Sequence, residues 1–204
     1  MTAQEWTRRP VKTRKLPLAS RLAQWLTAAK VQPNQISLAS IAAAAAAGVC
    51  LLAGSYLLAA LFIQLRLLCN LLDGMVAIEG GLRSNAGEIY NDLPDRLSDA
   101  LILVAAGYAL RWPSFAVELG WCASLLAVLT AYVRVLGGAC GLPQDFRGPM
   151  AKPQRMAVLT VGCILARFDP RAIALALAIV IAGSLVTLTA RVRGVVRKLE
   201  GETK

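Results

Sequence analysis

Histidine is absent from the 204 residues. That argues against imidazole acid–base catalysis and against any phosphohistidine intermediate. Charged residues are scarce, at 17% against 57% hydrophobic, which is too apolar a balance for an ordinary soluble domain of this length. The five cysteines show neither metal spacing nor a disulfide framework, and Cys50, Cys69, Cys122 and Cys163 sit in apolar runs. Together with Cys140 they read as small packing residues. The first thirty residues contain no long apolar run of signal-peptide type, so no cleavage is expected there. Internal repeats are lacking, and the one low-complexity tract, Ala42 to Ala47, reads as a surface for close helix packing.

What remains is a membrane protein with two parts. Residues 1–30 form a basic segment in which Leu18, Leu22, Trp25 and Leu26 recur at helical spacing, as in a helix lying in the headgroup plane. Residues 31–204 read as one domain of six transmembrane helices, giving an all-α integral membrane fold. The spans are Ile36 to Gly54, Leu57 to Ile78, Asn91 to Leu110, Phe115 to Leu136, Met156 to Phe168 with an earlier start, and Ala172 to Ala190. A loop rich in Gly and Pro is expected from Gly137 to Pro153. Seven Lys and Arg precede the first span, four lie between Arg134 and Arg155, and five follow Thr189. The opposite connections hold only Arg111, Arg167 and Arg171, so both termini are expected in the cytoplasm.

Against this apolar background the stretch from Cys69 to Asp99 stands out, with Asn70, Asp73, Glu88, Asn91, Asp92, Asp95 and Asp99. Ionisable groups at membrane depth are costly, and they pair, bind ions or line a pathway. Asn70 and Asp73 are three residues apart, and Asn91, Asp95 and Asp99 are four apart, so each set shares a helix face. Gly74, Gly80, Gly81 and Gly87 between them allow close approach of a backbone or a ligand. Hard oxygens beside glycines suit a divalent cation and a phosphate. Asp73 and Asp95 are the candidate ligands, with Asn70 and Asn91 offering carbonyl oxygens. Asp99 either supports Asp95 or pairs with Arg96 or Arg66. On the same cytoplasmic side Arg134, Lys152, Arg155 and Arg191 converge from three helix ends and the loop between them, as a phosphate on an incoming alcohol would require.

The pattern resembles the signature of the CDP-alcohol phosphatidyltransferases, D-x-x-D-G-x-x-A-R-x8-G-x3-D-x3-D. Asp73, Gly74, Ala77, Gly87 and Asp95 match with every spacing kept, while Asn70, Ile78 and Asn91 stand where the signature has Asp, Arg and Asp. Pro33-Asn34-x-x-Ser37 at the mouth of the first span is similar to a second family pattern, and Met150 to Arg155 looks like the family loop that meets a phosphorylated acceptor. The resemblance implies a Mg²⁺ (or Mn²⁺) site at Asn70, Asp73, Asn91 and Asp95, with Asp95 as general base. It implies nucleotide contacts from Pro33, Asn34, Gly74, Ala77 and Gly87, and acceptor-phosphate contacts from Arg134, Lys152, Arg155 and Arg191. The implied reaction passes a phosphatidyl group from CDP-diacylglycerol to a small polyol, glycerol-3-phosphate or inositol phosphate, with release of CMP. The enzyme would sit in the cytoplasmic membrane among its lipids as a homodimer, with no nucleic-acid partner. Asn70, Ile78 and Asn91 leave a second reading open, a non-catalytic relative that binds nucleotide or lipid. A small transporter would fit six spans but gives no reason for Pro33-Asn34 or for the spacing from Asp73 to Asp95.

Overall fold

The structure is a computed structural model that describes residues 17–81 and 87–201, apart from the side chains of Glu79, Glu88 and Asn91. Glu88 and the expected ligand Asn91 therefore lie outside the described side chains. Among the described residues it is all helix: α1 Pro17–Ala28, α2 Pro33–Leu52, α3 Tyr56–Glu79, α4 Gly87–Tyr108, α5 Ala116–Ala139, α6 Lys152–Leu165 and α7 Arg171–Leu199. Four of these, α2, α3, α5 and α7, are long and apolar enough to cross a membrane. The charges of α4 and the 14-residue length of α6 keep those two apart from that class.

Two differences from the sequence reading have plain local causes. Gly137 and Gly138 continue α5 as helix, since neither needs a positive φ there, and the loop begins only at Cys140. α6 starts at Lys152 because Pro153 occupies its first turn, where the missing N–H costs nothing. Proline opens α2 in the same way. There the Gln35 side chain accepts a hydrogen bond from the Gln32 backbone N–H at 3.0 Å, satisfying one of the free donors at the helix start.

Helices α2 to α7 close into a ring. α2 lies between α3 and α4, α4 meets α5, α5 meets α7, α7 meets α6, and α6 returns to α3, while α1 packs outside on α3. Alanine fills much of the interior, with Ala44, Ala47, Ala59, Ala106, Ala123 and Ala127 buried, so the backbones approach closely. One tight crossing is α4 on α5. A Cβ on Gly107 would fall 2.7 Å from the Ala116 carbonyl oxygen and 3.0 Å from Gly120 Cα, so only glycine fits. Large apolar side chains point outward instead, among them Leu61, Leu101, Leu125, Leu175 and Val186. An apolar outer surface of this extent suits lipid rather than water. The cysteines are all free, but Cys122 and Cys140 are exposed, so interior packing accounts for only part of the set.

Candidate active site

Because helices consecutive in the chain run in opposite directions, one end of the ring gathers the starts of α2, α4 and α6 with the ends of α3, α5 and α7. Nearly every polar residue singled out from the sequence lies at that end.

Three helices build the acidic side. On α2, Ser37 and Ser40 are one turn apart, as are Asn70 and Asp73 on α3, and the two pairs meet. Ser37 donates to Asp73 Oδ2 at 2.8 Å and Ser40 donates to Asn70 Oδ1 at 2.7 Å. Ser37 also lies 3.2 Å from the Pro33 carbonyl oxygen, which ties the start of α2 to Asp73. Asn70 Nδ2 in turn donates to Asp95 Oδ1 on α4. That direction is fixed by the amide nitrogen, which only donates. Asn70 is thus a hydrogen-bond bridge across three helices, with its carbonyl oxygen facing Ser40.

Cations from α3, α5 and α6 close on α4. Arg66, fully buried, reaches Asp99 Oδ1 at 2.8 Å, Asp95 Oδ1 at 3.4 Å and the Asp95 carbonyl oxygen at 3.0 Å. Arg155 Nη2 meets Asp99 Oδ2 at 3.0 Å, and its Nη1 donates to Thr130 Oγ1 and to the Met150 carbonyl oxygen, both at 3.2 Å. Lys152 Nζ pairs with Asp95 Oδ2. Asp92 Oδ1 receives both Arg96 at 2.6 Å and Arg134 at 2.7 Å, and Arg134 also stacks on Phe146. Asp92, Asp95 and Asp99 therefore form one stripe on α4, closed by Arg134, Lys152 and Arg155 in that order. Arg191 is held by backbone: its Nε donates to the Arg147 carbonyl oxygen at 3.0 Å and its Nη1 to the Thr130 carbonyl oxygen at 2.6 Å.

The loop leading into Lys152 is strapped to α7. Met150 N–H donates to Thr187 Oγ1 at 2.9 Å, and Gly148 sits at φ 113° with its Cα against Thr187. A Cβ there would come within 2.5 Å of Thr187 Cγ2. Asp145 caps the turn, accepting from the Arg147 backbone N–H at 2.9 Å and from its guanidinium at 2.7 Å. Burial alone would raise the Asp145 carboxyl, but these bonds prevail and hold it below the usual carboxylate range.

Among the described residues no three carboxylates, cysteines or histidines gather around one point. The donor set still fits a hard divalent cation. Asp73 is 3% exposed, and its Oδ1 is buried with no hydrogen-bond partner among the described residues, a costly arrangement unless a cation completes it. Asp95 and Asp99 are answered by Arg66, Lys152 and Arg155, whereas Asp73 has no ion-pair partner among the described residues.

The expected nucleotide side is only partly covered by polar contacts. Gly74 is buried beside Asp73, Ala77 and Gly87 are half-buried, Pro33 is half-buried and Asn34 is exposed. Sequence reasoning missed Ser40, and it named Arg134, Lys152 and Arg155 without their pairing to Asp92, Asp95 and Asp99. Ser40 was signalled only by being polar, three residues after Ser37, in an otherwise apolar helix.

A ring of apolar helices with carboxylates, a buried orphan oxygen and cations at one end defines a membrane enzyme that handles charged, phosphate-bearing groups. The family model for CDP-alcohol phosphatidyltransferase matches residues 30–189, so the chain belongs to that family and is by class a transferase. Its relatives include the phosphatidylinositol phosphate synthase of Corynebacterium glutamicum, 32% identical over 170 residues, which span 79% of this chain and 76% of that one. The phosphatidylinositol phosphate synthase of Mycolicibacterium smegmatis is 27% identical over 180 residues, 82% of this chain and 78% of the other. The fold is that of the Mycobacterium tuberculosis phosphatidylinositol phosphate synthase. The crystal structure of that protein with CDP-DAG bound matches with TM-score 0.79 at 20% identity, over 88% of this chain and 94% of that one. Its complex with manganese and citrate matches with TM-score 0.78, over 87% and 88%.

Proposed function

We propose that the chain transfers the phosphatidyl group of CDP-diacylglycerol to inositol phosphate, releasing CMP, at the cytoplasmic leaflet of the cell membrane. The observation that carries this reading is the meeting of Ser37–Asp73 and Asn70–Asp95 with cations from α5 and α6 at one end of the ring. The choice of acceptor leans on the likeness to phosphatidylinositol phosphate synthases. Glycerol-3-phosphate is the competing acceptor.

In this reading α2 to α7 all cross the membrane, α1 lies in the interface, residues 1–30 form a separate basic segment, and both termini are cytoplasmic. The excess of Lys and Arg at the active-site end supports it. α4, at 22 residues, is about 33 Å long, enough for the hydrocarbon core, and its acids Asp95 and Asp99 are turned inward. α6 is short at 14 residues, with Arg167 just past its end to reach the headgroups. The apolar outer faces leave room for a homodimer.

Asp73 and Asp95 would hold a Mg²⁺ or Mn²⁺ ion, Asn91 remains the further ligand that the family signature implies, and Pro33, Asn34, Gly74, Ala77 and Gly87 would line the nucleotide. The ion's chemistry is to neutralise the diphosphate and keep the reacting groups in line. Asp95 takes the proton of the acceptor hydroxyl, and Asn70 and Arg66 fix its orientation. Of the four acceptor cations, Lys152 and Arg134 are the ones that contact the phosphate. Each rests on a carboxylate with its side chain partly open, 19% and 18% exposed, whereas Arg155 and Arg191 brace the loop through Thr130 and backbone oxygens. The test is CMP release by purified protein from CDP-diacylglycerol with Mn²⁺ and a panel of alcohols. Release should be fastest with inositol phosphate, and failure to release CMP with any acceptor would overturn the reading in favour of a binding protein without turnover.

A further inference from the structure

The end of the ring opposite the active site has a groove of about 290 Å³, lined by Gly54, Ser55, Tyr56, Leu57, Leu58 and Arg167. It lies between the turn that joins α2 to α3 and the turn that joins α6 to α7. Among the described residues Arg167 is the one charged residue on its wall. Its side chain is exposed, and no ion pair or side-chain hydrogen bond engages it among the described residues. The neighbouring charges are used elsewhere. Arg171 stacks on Trp112 at 5.2 Å, Asp169 accepts from the Arg171 backbone N–H at 2.9 Å, and neither lines the groove.

The same residues begin a seam between α3 and α6. Thr160, Ile164 and Arg167 follow one another at helical spacing, as do Gln64, Leu61 and Leu57 on α3, and the two helices run in opposite directions. Gln64 Nε2 donates to Thr160 Oγ1 at 2.7 Å, which fixes the register, with Ile164 level with Leu61 and Arg167 level with Leu57. Leu57, Leu61 and Ile164 are all exposed. The polar pair is spent on itself, so between it and Arg167 the track is apolar, as an acyl chain requires. α6, at 14 residues, is about 21 Å long against a hydrocarbon core of about 30 Å, so a headgroup must come down to meet Arg167. Beside it the start of α3 has no side-chain cap. The first backbone bond of that helix runs from Ala59 N–H to the Ser55 carbonyl oxygen, which leaves the N–H groups of Tyr56, Leu57 and Leu58 for another acceptor. No carboxylate among the described residues lines the groove, so the amine of a zwitterionic headgroup finds no partner there, whereas a net negative headgroup is matched by Arg167.

We propose that this groove holds the headgroup phosphate of an anionic phospholipid from the leaflet opposite the active site, with one acyl chain lying along the seam between α3 and α6. The proposal rests on α3 and α6 crossing the membrane, as read above, and not on the choice of acceptor. The Arg167 guanidinium meets the phosphate, and the lipid ties the α2–α3 turn to the α6–α7 turn where α6 is too short to do so itself.

The test puts a fluorescent reporter in the full chain, Leu57→Trp or, one turn along the seam, Leu61→Trp. The protein sits in phosphatidylcholine nanodiscs with a small fraction of brominated lipid, and the signal is the quenching added over the chain without the reporter. Brominated phosphatidylglycerol should quench with an apparent affinity about fivefold above that of brominated phosphatidylcholine, the factor that one cation facing anionic lipid is worth. Arg167→Gln removes an exposed, unpaired side chain and should bring the two lipids level. Arg111→Gln, exposed at the same end but off the groove, should keep the preference. Inorganic phosphate at constant ionic strength should leave the quenching as it is. Equal quenching by the two lipids overturns the proposal, and so does a preference that survives Arg167→Gln or falls as far in Arg111→Gln. A preference abolished by inorganic phosphate makes the groove a site for a soluble anion and overturns the lipid. In each of these outcomes the reporter still faces lipid and the spanning of α3 stands. A reporter that neither lipid quenches sinks that reading as well.

Discussion

Arg155 and Asp99 are 56 residues apart in sequence and 3.0 Å apart in space, and each side chain is only 2% exposed. A pair this dry is strongly destabilising to break from one side, because the survivor is left charged and unpaired. Arg155→Met should therefore lower the stability of the detergent-solubilised protein by about 3 kcal/mol, read as a fall in melting temperature. Its effect on the KM for the acceptor should be small in any protein that still folds. A large KM effect with unchanged melting would instead make Arg155 a direct phosphate ligand.

How much of this site could be read in the sequence depends on distance along the chain. The helices were legible because their apolar runs and the prolines at 33 and 153 act within a few residues. That Asn70 and Asp73 share a face of α3 was legible from their spacing, and Arg66, which meets Asp99, was one of the partners left open for it. The pairings of Arg134, Lys152 and Arg155 with Asp92, Asp95 and Asp99 were not legible, because α4 meets α5 and α6 only once the ring has closed. Sequence placed those cations at the correct end of the protein and could not say that carboxylates already held them.

Asp95→Asn keeps the size of the side chain and an oxygen facing its neighbours but cannot take a proton. Turnover should fall by about 10²- to 10⁴-fold, the usual contribution of a general base, with CDP-diacylglycerol binding retained. Stopped CMP release alongside a binding isotherm checks this. Retained turnover would remove Asp95 from its role.

Ser37 holds Asp73 by Oδ2 and leaves Oδ1 for a cation. A hydroxyl that orients a ligand in this way is typically worth about 10- to 100-fold in metal affinity. Ser37→Ala should weaken Mn²⁺ binding by that factor, and Asp73→Ala should abolish it, as followed by paramagnetic resonance of free Mn²⁺. Titrations unchanged in both variants would make the cluster structural.

The turn at Asp145 supplies a pH signature. Its folded pKa is depressed, so its contribution to stability is complete above the unfolded value of about 3.9 and is lost as pH falls through the lower folded value. The loop should be insensitive between pH 5 and 8. Asp145→Asn imitates the acid form at neutral pH. Because the Arg147 side chain is 60% exposed, the loss is about 1 kcal/mol or less, seen as up to roughly fivefold faster tryptic cleavage after Arg147.

The asparagine at position 70 can be tested against the acid it replaces in the family signature. Its amide donates to Asp95, so Asn70→Asp would set two carboxylates against each other where a donor and an acceptor now meet. Like charges in a poorly solvated site repel by an amount on the order of a kcal/mol or more, and Ile78 supplies no compensating cation. The Asn70→Asp protein should therefore melt below the wild type in EDTA. Mn²⁺ should restore it, because a divalent cation between the two carboxylates reverses the sign of their interaction. Wild-type melting should respond to Mn²⁺ much less. Adding Asn91→Asp should deepen this dependence without raising turnover against magnesium, and turnover should rise only when Ile78→Arg is combined with both. If the doubly acidic variant outperforms the parent on its own, Asn70 and Asn91 are losses rather than adaptations, and the hydrogen bond from Asn70 to Asp95 has no catalytic value.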